Sequence, residues 1–131
     1  MEPLNEGSPL AQSHGTRYPI VQGPMAQVSD RASFAAKVAE AGALPFLAVS
    51  YMKARELERL LGEVQQRLEN RPWGVGILGF IPSSLRQKQL DVIRRFRPPF
   101  AIIAGGRPDQ VEPMEREGIH TYVHVLSLIH I

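Results

Sequence analysis

The strongest constraint on this chain is a rhythm. Five short apolar runs begin near residues 18, 44, 73, 100 and 120, at spacings of 26, 29, 27 and 20 residues. They read Tyr18-Pro-Ile-Val-Gln22, Leu44-Pro-Phe-Leu-Ala-Val49, Trp73-Gly-Val-Gly-Ile-Leu78, Phe100-Ala-Ile-Ile-Ala104 and His120-Thr-Tyr-Val-His-Val125. Apolar residues at consecutive positions mark strands buried on both faces, as in a parallel sheet covered by helices. A strand, a helix and two loops need about that much chain, so the pattern predicts repeated βα units with parallel strands.

Helical periods fill the gaps. Ser29 or Asp30 is placed to cap a helix whose inner face is Phe34, Ala35, Val38, Ala39 and Ala41, with Gly42 ending it. Leu57, Leu60, Leu61, Val64 and Leu68 fall at 0, 3, 4, 7 and 11, one stripe of a second helix. Pro82 opens a third, lined by Leu85, Val92, Ile93 and Phe96 and stopped by Pro98-Pro99. A short fourth helix, capped by Asp109, carries Val111 and Met114 inward; Pro113 should shorten it, and Gly118 ends it. Two α/β architectures fit: an open flavodoxin-like sheet, or the N-terminal part of a (β/α)8 barrel, which when complete takes about 250 residues.

The ends read differently. Residues 1–16 are rich in Pro, Gly, Ser, Asn and Gln with no apolar period, and are expected to be a disordered lead-in or linker, not a secretory signal. Residues 126–131, Leu-Ser-Leu-Ile-His-Ile, match the translation of a transposase adapter used to prepare sequencing libraries. They are expected to be adapter-encoded, with the gene cut near Val125. That leaves residues 17–125 to carry the fold, as a small open sheet or as the first half of a truncated barrel. Within the 131 residues there are no cysteines, which excludes disulfides, zinc-thiolate sites and a Cys nucleophile. The net charge of +2 comes from basic residues scattered among acids, so nucleic acid is not an expected partner. No run of about 18 apolar residues exists to span a membrane, and the setting is read as cytoplasmic.

The stretch from Tyr18 to Asp30 is the most specific. After a strand, Gly23 permits close backbone approach to a flat ligand, Pro24 fixes the turn and Met25 offers a soft apolar contact. Ile20–Ala26 (IVQGPMA), Ala41-Gly-Ala-Leu44 and Pro72-Trp-Gly-Val75 together resemble the nitronate monooxygenase family, formerly called 2-nitropropane dioxygenases, which is close to FMN-dependent enoyl-acyl-carrier-protein reductases. ALPFLAVS, RPWGVGILGFIP, RPPFAIIAGGRPDQ and GIHTYVHV look like a subgroup built into large polyketide or polyunsaturated-fatty-acid synthases. The resemblance covers about residues 17–125.

It implies an FMN-binding TIM barrel with the cofactor at the C-terminal ends of the strands. Gly23, Pro24, Met25 and Ala26 would meet the isoalloxazine ring. The family commonly has an Asn on its third strand that bonds the flavin; here that position is Gly76, which offers only close backbone approach and departs from ordinary nitronate chemistry. The family's catalytic His follows a Glu-x-Gly-Gly-His type of motif. Neither that motif nor the phosphate loops near the seventh and eighth strands is present, so no catalytic residue is assigned.

Gly105, Gly106 and Arg107 follow the fourth strand and offer an anion receiver for substrate, although a plain Gly-rich turn leading to Asp109 is the simpler reading. Ser50 and Tyr51 are further rim candidates. His120 and His124 share a strand face, but no third ligand is evident and no metal is expected. The parent is therefore expected to be an FMN oxidoreductase that oxidises alkyl nitronates with oxygen or reduces an enoyl thioester, with acyl carrier protein and synthase domains as partners in the second case. The fragment itself is expected to be inactive. A small flavodoxin-like binding module is the competing reading; it lacks the acidic cluster or phosphate loop it would need.

Overall fold

The computed structural model describes residues 6–125. Both the first five residues and the expected adapter-encoded tail, 126–131, lie outside them. The elements run α1 (Pro9–His14), β1 (Val21–Gln22), α2 (Ala32–Glu40), β2 (Leu44–Ala48), α3 (Ala54–Leu68), β3 (Gly74–Leu78), α4 (Ser83–Phe96), β4 (Phe100–Ala104), a 3-10 turn (Pro108–Gln110), α5 (Glu112–Arg116) and β5 (His120–His124).

Every neighbouring strand pair is parallel, and the spatial order is the sequence order, β1-β2-β3-β4-β5. That order decides between the two architectures. A flavodoxin-like sheet runs 2-1-3-4-5 and carries helices on both faces. Here α2, α3 and α4 pack side by side against one face, and the chain forms a half-barrel of the (β/α)8 type. The flavodoxin-like alternative is thereby corrected: it would need the chain to reverse direction across the sheet after its first unit.

The outer face of the sheet builds the main core. Leu47, Val49, Val75, Ile77, Ala101 and Ile103 meet the inner stripes of the helices. The α3 stripe is the predicted one, with Leu57, Leu60, Leu61, Val64 and Leu68 all buried. Each such side chain contributes roughly 1.5–3 kcal/mol by leaving water. In α2 the fully buried positions are Ala32, Ala35 and Ala39, while Phe34 and Val38 are only half-buried; the small residues let α2 lie close to α3. Gly42 ends that segment at φ +95, a backbone that a side chain would strain. Its carbonyl accepts the Arg17 and Tyr18 N–H groups, at 3.1 and 2.9 Å.

Several local expectations change. Ser29 and Asp30 do not cap α2; Arg31 holds the cap position without a side-chain bond. Asp109 does not cap either: it lies within the 3-10 turn, paired with Arg107, and Val111 holds the cap position of α5. Pro113 does limit α5, to five residues. Strands β2 and β3 are buried almost throughout, but β5 alternates between exposed and half-buried, and β1 is two residues long. Both are edges with one neighbour, so the two-faced burial read from their apolar runs does not apply to them.

The expectation of an irregular stretch over residues 1–16 fails for residues 9–14. They form a helix capped by the Ser8 hydroxyl, which accepts the Ala11 N–H at 3.3 Å, and closed by Gly15 in the left-handed region. This helix lies across the N-terminal ends of β4 and β5. The His14 ring stacks on Phe100 with centroids 5.0 Å apart, and its Nε2 is 2.6 Å from the Tyr122 hydroxyl.

Candidate functional site

The concave face of the sheet can be followed level by level. Phe46, Gly74, Phe100 and His120 are register partners at the lowest level; Ala48, Gly76, Ile102 and Tyr122 form the next; Leu78, Ala104 and His124 form the highest. Side chains shrink toward the C-terminal ends of β2, from Phe46 to Ala48, and of β4, from Phe100 through Ile102 to Ala104. At the bottom, Phe46 occupies the space a side chain on Gly74 would need: a Cβ there would lie 2.4 Å from the Phe46 ring. At the top, Ala48, Gly76 and Ala104 leave room.

That room is a cavity of about 340 Å³ at the C-terminal ends of β1 to β4, bordered by Pro24, Ala26, Gln27, Ser50, Tyr51 and Leu78 as well as those three small residues. Its size is at the lower end for small-molecule sites, and none of its lining side chains is charged. A larger concavity, about 610 Å³, lies outside the helix layer among Asp91, Arg94, Arg95, Arg97 and Glu117. Ion pairs from Arg94 and Arg97 to Glu117 run across it, and it is remote from the strand ends where barrel sites form.

The loop after β1 forms one wall of the cavity. Gln22 ends β1 by extending its ladder with a side chain: its amide oxygen accepts the Phe46 N–H and its Nε2 donates to the Phe46 carbonyl, both at 3.3 Å. Pro45, its register partner, has no N–H to give. Pro24 then folds back onto β3. A Cβ on Gly76 would lie 2.2 Å from the Pro24 Cβ. The closest approach to Gly76 is therefore made by Pro24 itself.

Ser29 ties the loop down. It is buried, its Oγ accepts the Met25 N–H at 2.7 Å, and its carbonyl accepts the Ala48 N–H at 2.9 Å. Sequence reading placed Ser29 at a helix cap and passed over its part in holding this wall.

The wall opposite is the β2–α3 loop. Ser50 and Gln27, on the two sides of the cavity, both have left-handed backbones, at φ +50 and +64. Strained non-glycine residues of this kind concentrate at functional sites. The loop is held from behind by Gln89 of α4, whose Nε2 donates to the carbonyls of Ser50 and Met52 at 3.0 and 2.9 Å. Sequence reading missed Gln89. The one signal was a polar residue within the apolar stripe of that helix.

Of the candidates for cofactor contact, the fold brings Pro24, Ala26 and Gly76 to the cavity. Gly23 and Met25 belong to the same loop but do not line it, and Met25 is 43% exposed. Gly105, Gly106 and Arg107 are not among its lining residues either. Gly106 packs tightly on the neighbouring β3–α4 turn: a Cβ on Gly79 would lie 2.5 Å from the Gly106 Cα. Arg107 faces outward and is held by both oxygens of Asp109, at 3.1 and 3.0 Å. The simpler reading of that segment, a structural turn, is the one this geometry supports. His124 lies beside Ala104 at the top of the ladder, and His120 two steps below it; among the described residues no group of three or more His, Cys, Asp or Glu side chains is placed to hold a metal. No helix among them is long and apolar enough to cross a membrane.

Three of the solved structures that this chain is similar to illustrate the likeness. FabK from Thermotoga maritima is 24% identical, with a TM-score of 0.79 over 90% of this chain and 37% of that one. Nitroalkane oxidase from Streptomyces ansochromogenes is 22% identical, with a TM-score of 0.79 over 92% and 44%. The enoyl reductase domain of MlnA, from the macrolactin biosynthesis cluster of Bacillus amyloliquefaciens, is 20% identical, with a TM-score of 0.66 over 78% and 24%. The chain spans less than half the length of each, and at these identities the likeness speaks for the fold. A search of curated proteins finds no match. The nitronate monooxygenase family model matches residues 7–122, from the start of α1 into β5, and the chain belongs to that family.

Proposed function

We propose that this chain is the N-terminal half of an FMN-dependent oxidoreductase barrel, and that the cavity bordered by Pro24, Ala48, Gly76 and Ala104 receives the isoalloxazine ring. The observation that carries the reading is the cavity itself: an uncharged recess at the C-terminal ends of four strands, where three of the residues singled out in the sequence, Pro24, Ala26 and Gly76, come together. A flat, neutral tricycle suits small apolar walls. The phosphate end of FMN would need cations or N–H groups, and no charged side chain lines the cavity, so that end falls to residues beyond these five units.

When bound, the flavin supplies the redox step. The residues of this chain do the rest of the work assigned to them. Pro24 and Ala26 form one wall, Ser29 and Gln22 hold that wall against β2, and the small residues of β2, β3 and β4 form a floor that excludes water. Family membership favours oxidation of alkyl nitronates by oxygen as the reaction of the whole protein. Reduction of an enoyl thioester carried by a synthase is the second reading. The structural likeness to the enoyl reductase domain of MlnA is what supports it.

The test is FMN uptake. The full-length protein should purify yellow with stoichiometric FMN, and the 131-residue chain should be inactive and bind it at least about 100-fold more weakly. That factor corresponds to losing about two charge-assisted phosphate contacts. A stoichiometric yellow chromophore on the short chain would refute the assignment of the phosphate to other residues. A colourless full-length protein that takes up no FMN would refute the flavin reading.

A further inference from the structure

We propose that Tyr51 contacts the bound ring, and that Gln89, in the helix layer behind the sheet, is the positioning residue that presents it. This rests on the flavin reading and extends it to a residue pair outside the loop after β1.

Gln89 occupies a position on α4 that sequence periodicity reserves for an apolar side chain, in the stripe of Leu85, Val92, Ile93 and Phe96. It is 1% exposed. A buried amide is costly unless bonded, so a Gln is retained in an apolar stripe without penalty only where partners meet it. Its partners are the carbonyls of Ser50 and Met52, the two residues flanking Tyr51. The clamp is completed by the Met52 N–H, which donates to the Val49 carbonyl at 3.0 Å, and by the Met52 side chain, which packs against the main core.

Three constraints thus converge on one loop. Ser50 is held in a left-handed backbone that disfavours a side chain. Met52 is drawn inward. Tyr51, between them, is turned out, 61% exposed at the lip of the cavity. For a loop fixed at both neighbours, an exposed aromatic is the group being presented. A tyrosine ring offers broad contact with few rotatable bonds, and its hydroxyl offers a hydrogen bond to a polar edge. A planar heteroaromatic ligand matches both.

The experiment is a double-mutant cycle on the full-length protein, with FMN affinity read by quenching of flavin fluorescence and loop order read by amide exchange at residues 50–53. Tyr51→Ala should weaken FMN binding about tenfold with little change in Tm, because the side chain is exposed. Gln89→Leu should weaken binding to a similar extent and speed exchange at 50–53. The double variant should be no worse than the weaker single, since one residue acts through the other. Unchanged affinity in Tyr51→Ala overturns the contact. Losses that multiply to about 100-fold in the double variant overturn the coupling. Unchanged exchange in Gln89→Leu overturns the clamp.

Should Gln89→Leu fail to fold, Gln89→Glu serves. The protonated acid keeps one donor, whereas the carboxylate has none, so FMN affinity in that variant should fall as pH rises relative to wild type. A parallel profile overturns the proposal. Wild type that takes up no FMN overturns the flavin reading itself; wild type that binds FMN while Tyr51→Ala binds equally well overturns only the assignment of Tyr51.

Discussion

The same strands present two faces that follow opposite rules. On the outer face, β2, β3 and β4 carry Leu47, Val49, Val75, Ile77, Ala101 and Ile103, and the helices fill every position against them. On the concave face the strands offer Leu44, Phe46 and Phe100 low down, but Ala48, Gly76 and Ala104 high up. The outer face is a packing problem with one solution. The concave face is graded: closed below by Phe46 and by α1, and open above. Fold lives in the first and the site in the upper part of the second, which is how one barrel scaffold carries many chemistries.

The largest test of that division is on the outer face. Leu61 is fully buried at the centre of the α3 stripe. Leu61→Ala should cost about 2–5 kcal/mol in denaturant unfolding, the range for truncating a buried leucine. Flavin affinity of the full-length protein, measured where the variant is still folded, should hold within about twofold. A tenfold loss of affinity at full folding would mean that the two faces are not separable.

The next test is on the concave face. Gly76 stands where the nitronate monooxygenase pattern carries Asn, and Pro24 fills the space above it. Gly76→Ala should therefore drive the loop after β1 off β3, at a cost of about 1–3 kcal/mol for overpacking, with a loss of flavin affinity disproportionate to that cost. Gly76→Asn should be worse, although it restores the family residue. If Asn at 76 strengthens flavin binding, Pro24 is not what the glycine accommodates. The measurement pairs unfolding with flavin titration for both variants.

What could be read beforehand follows the same division. Outer-face packing leaves a periodic trace, so the α3 stripe, the five strands and their parallel pairing were all legible. The choice of barrel over open sheet was not, because spacing carries no spatial order; the family resemblance pointed to it and the register settles it. The site was half legible. Pro24 and Gly76 stood out one at a time, but their contact joins residues 52 positions apart, and no local pattern announces it. Ser29 and Gln89 were hidden for a related reason. Ser29 bonds Met25 through its side chain and reaches β2 only through its backbone carbonyl, so in sequence it looks like a helix cap; Gln89, which bonds the distant carbonyls of Ser50 and Met52, looks like a blemish in a stripe. Residues 9–14 went unrecognised as helix because one turn and a half has no measurable period; Ser8 and Gly15 at its ends were the available signs.

The smallest effect tests the lower closure. Beside α1, the Arg17 Nε donates to Glu6 Oε1 at 2.6 Å, and the Tyr18 hydroxyl reaches the same oxygen at 3.4 Å. The hydrogen bond from Arg17 is the main reason the Glu6 carboxyl is held below its ordinary value of 4.5; desolvation opposes it, and the charge of Arg17 and the Tyr18 hydroxyl reinforce it. A carboxyl depressed in the folded state stabilises above its unfolded pKa, and that contribution disappears as pH falls through the folded value. Both side chains are more than half exposed, so the effect should be small and screened by salt. The difference in Tm between wild type and Glu6→Gln should be constant above about pH 5, narrow below the ordinary carboxylate range, and shrink at high ionic strength. A difference that widens on acidification would reverse the sign and remove Glu6 from the closure. A difference indifferent to salt would mean that Glu6 acts by packing, as Phe46 does at the same end of the barrel, and not by charge.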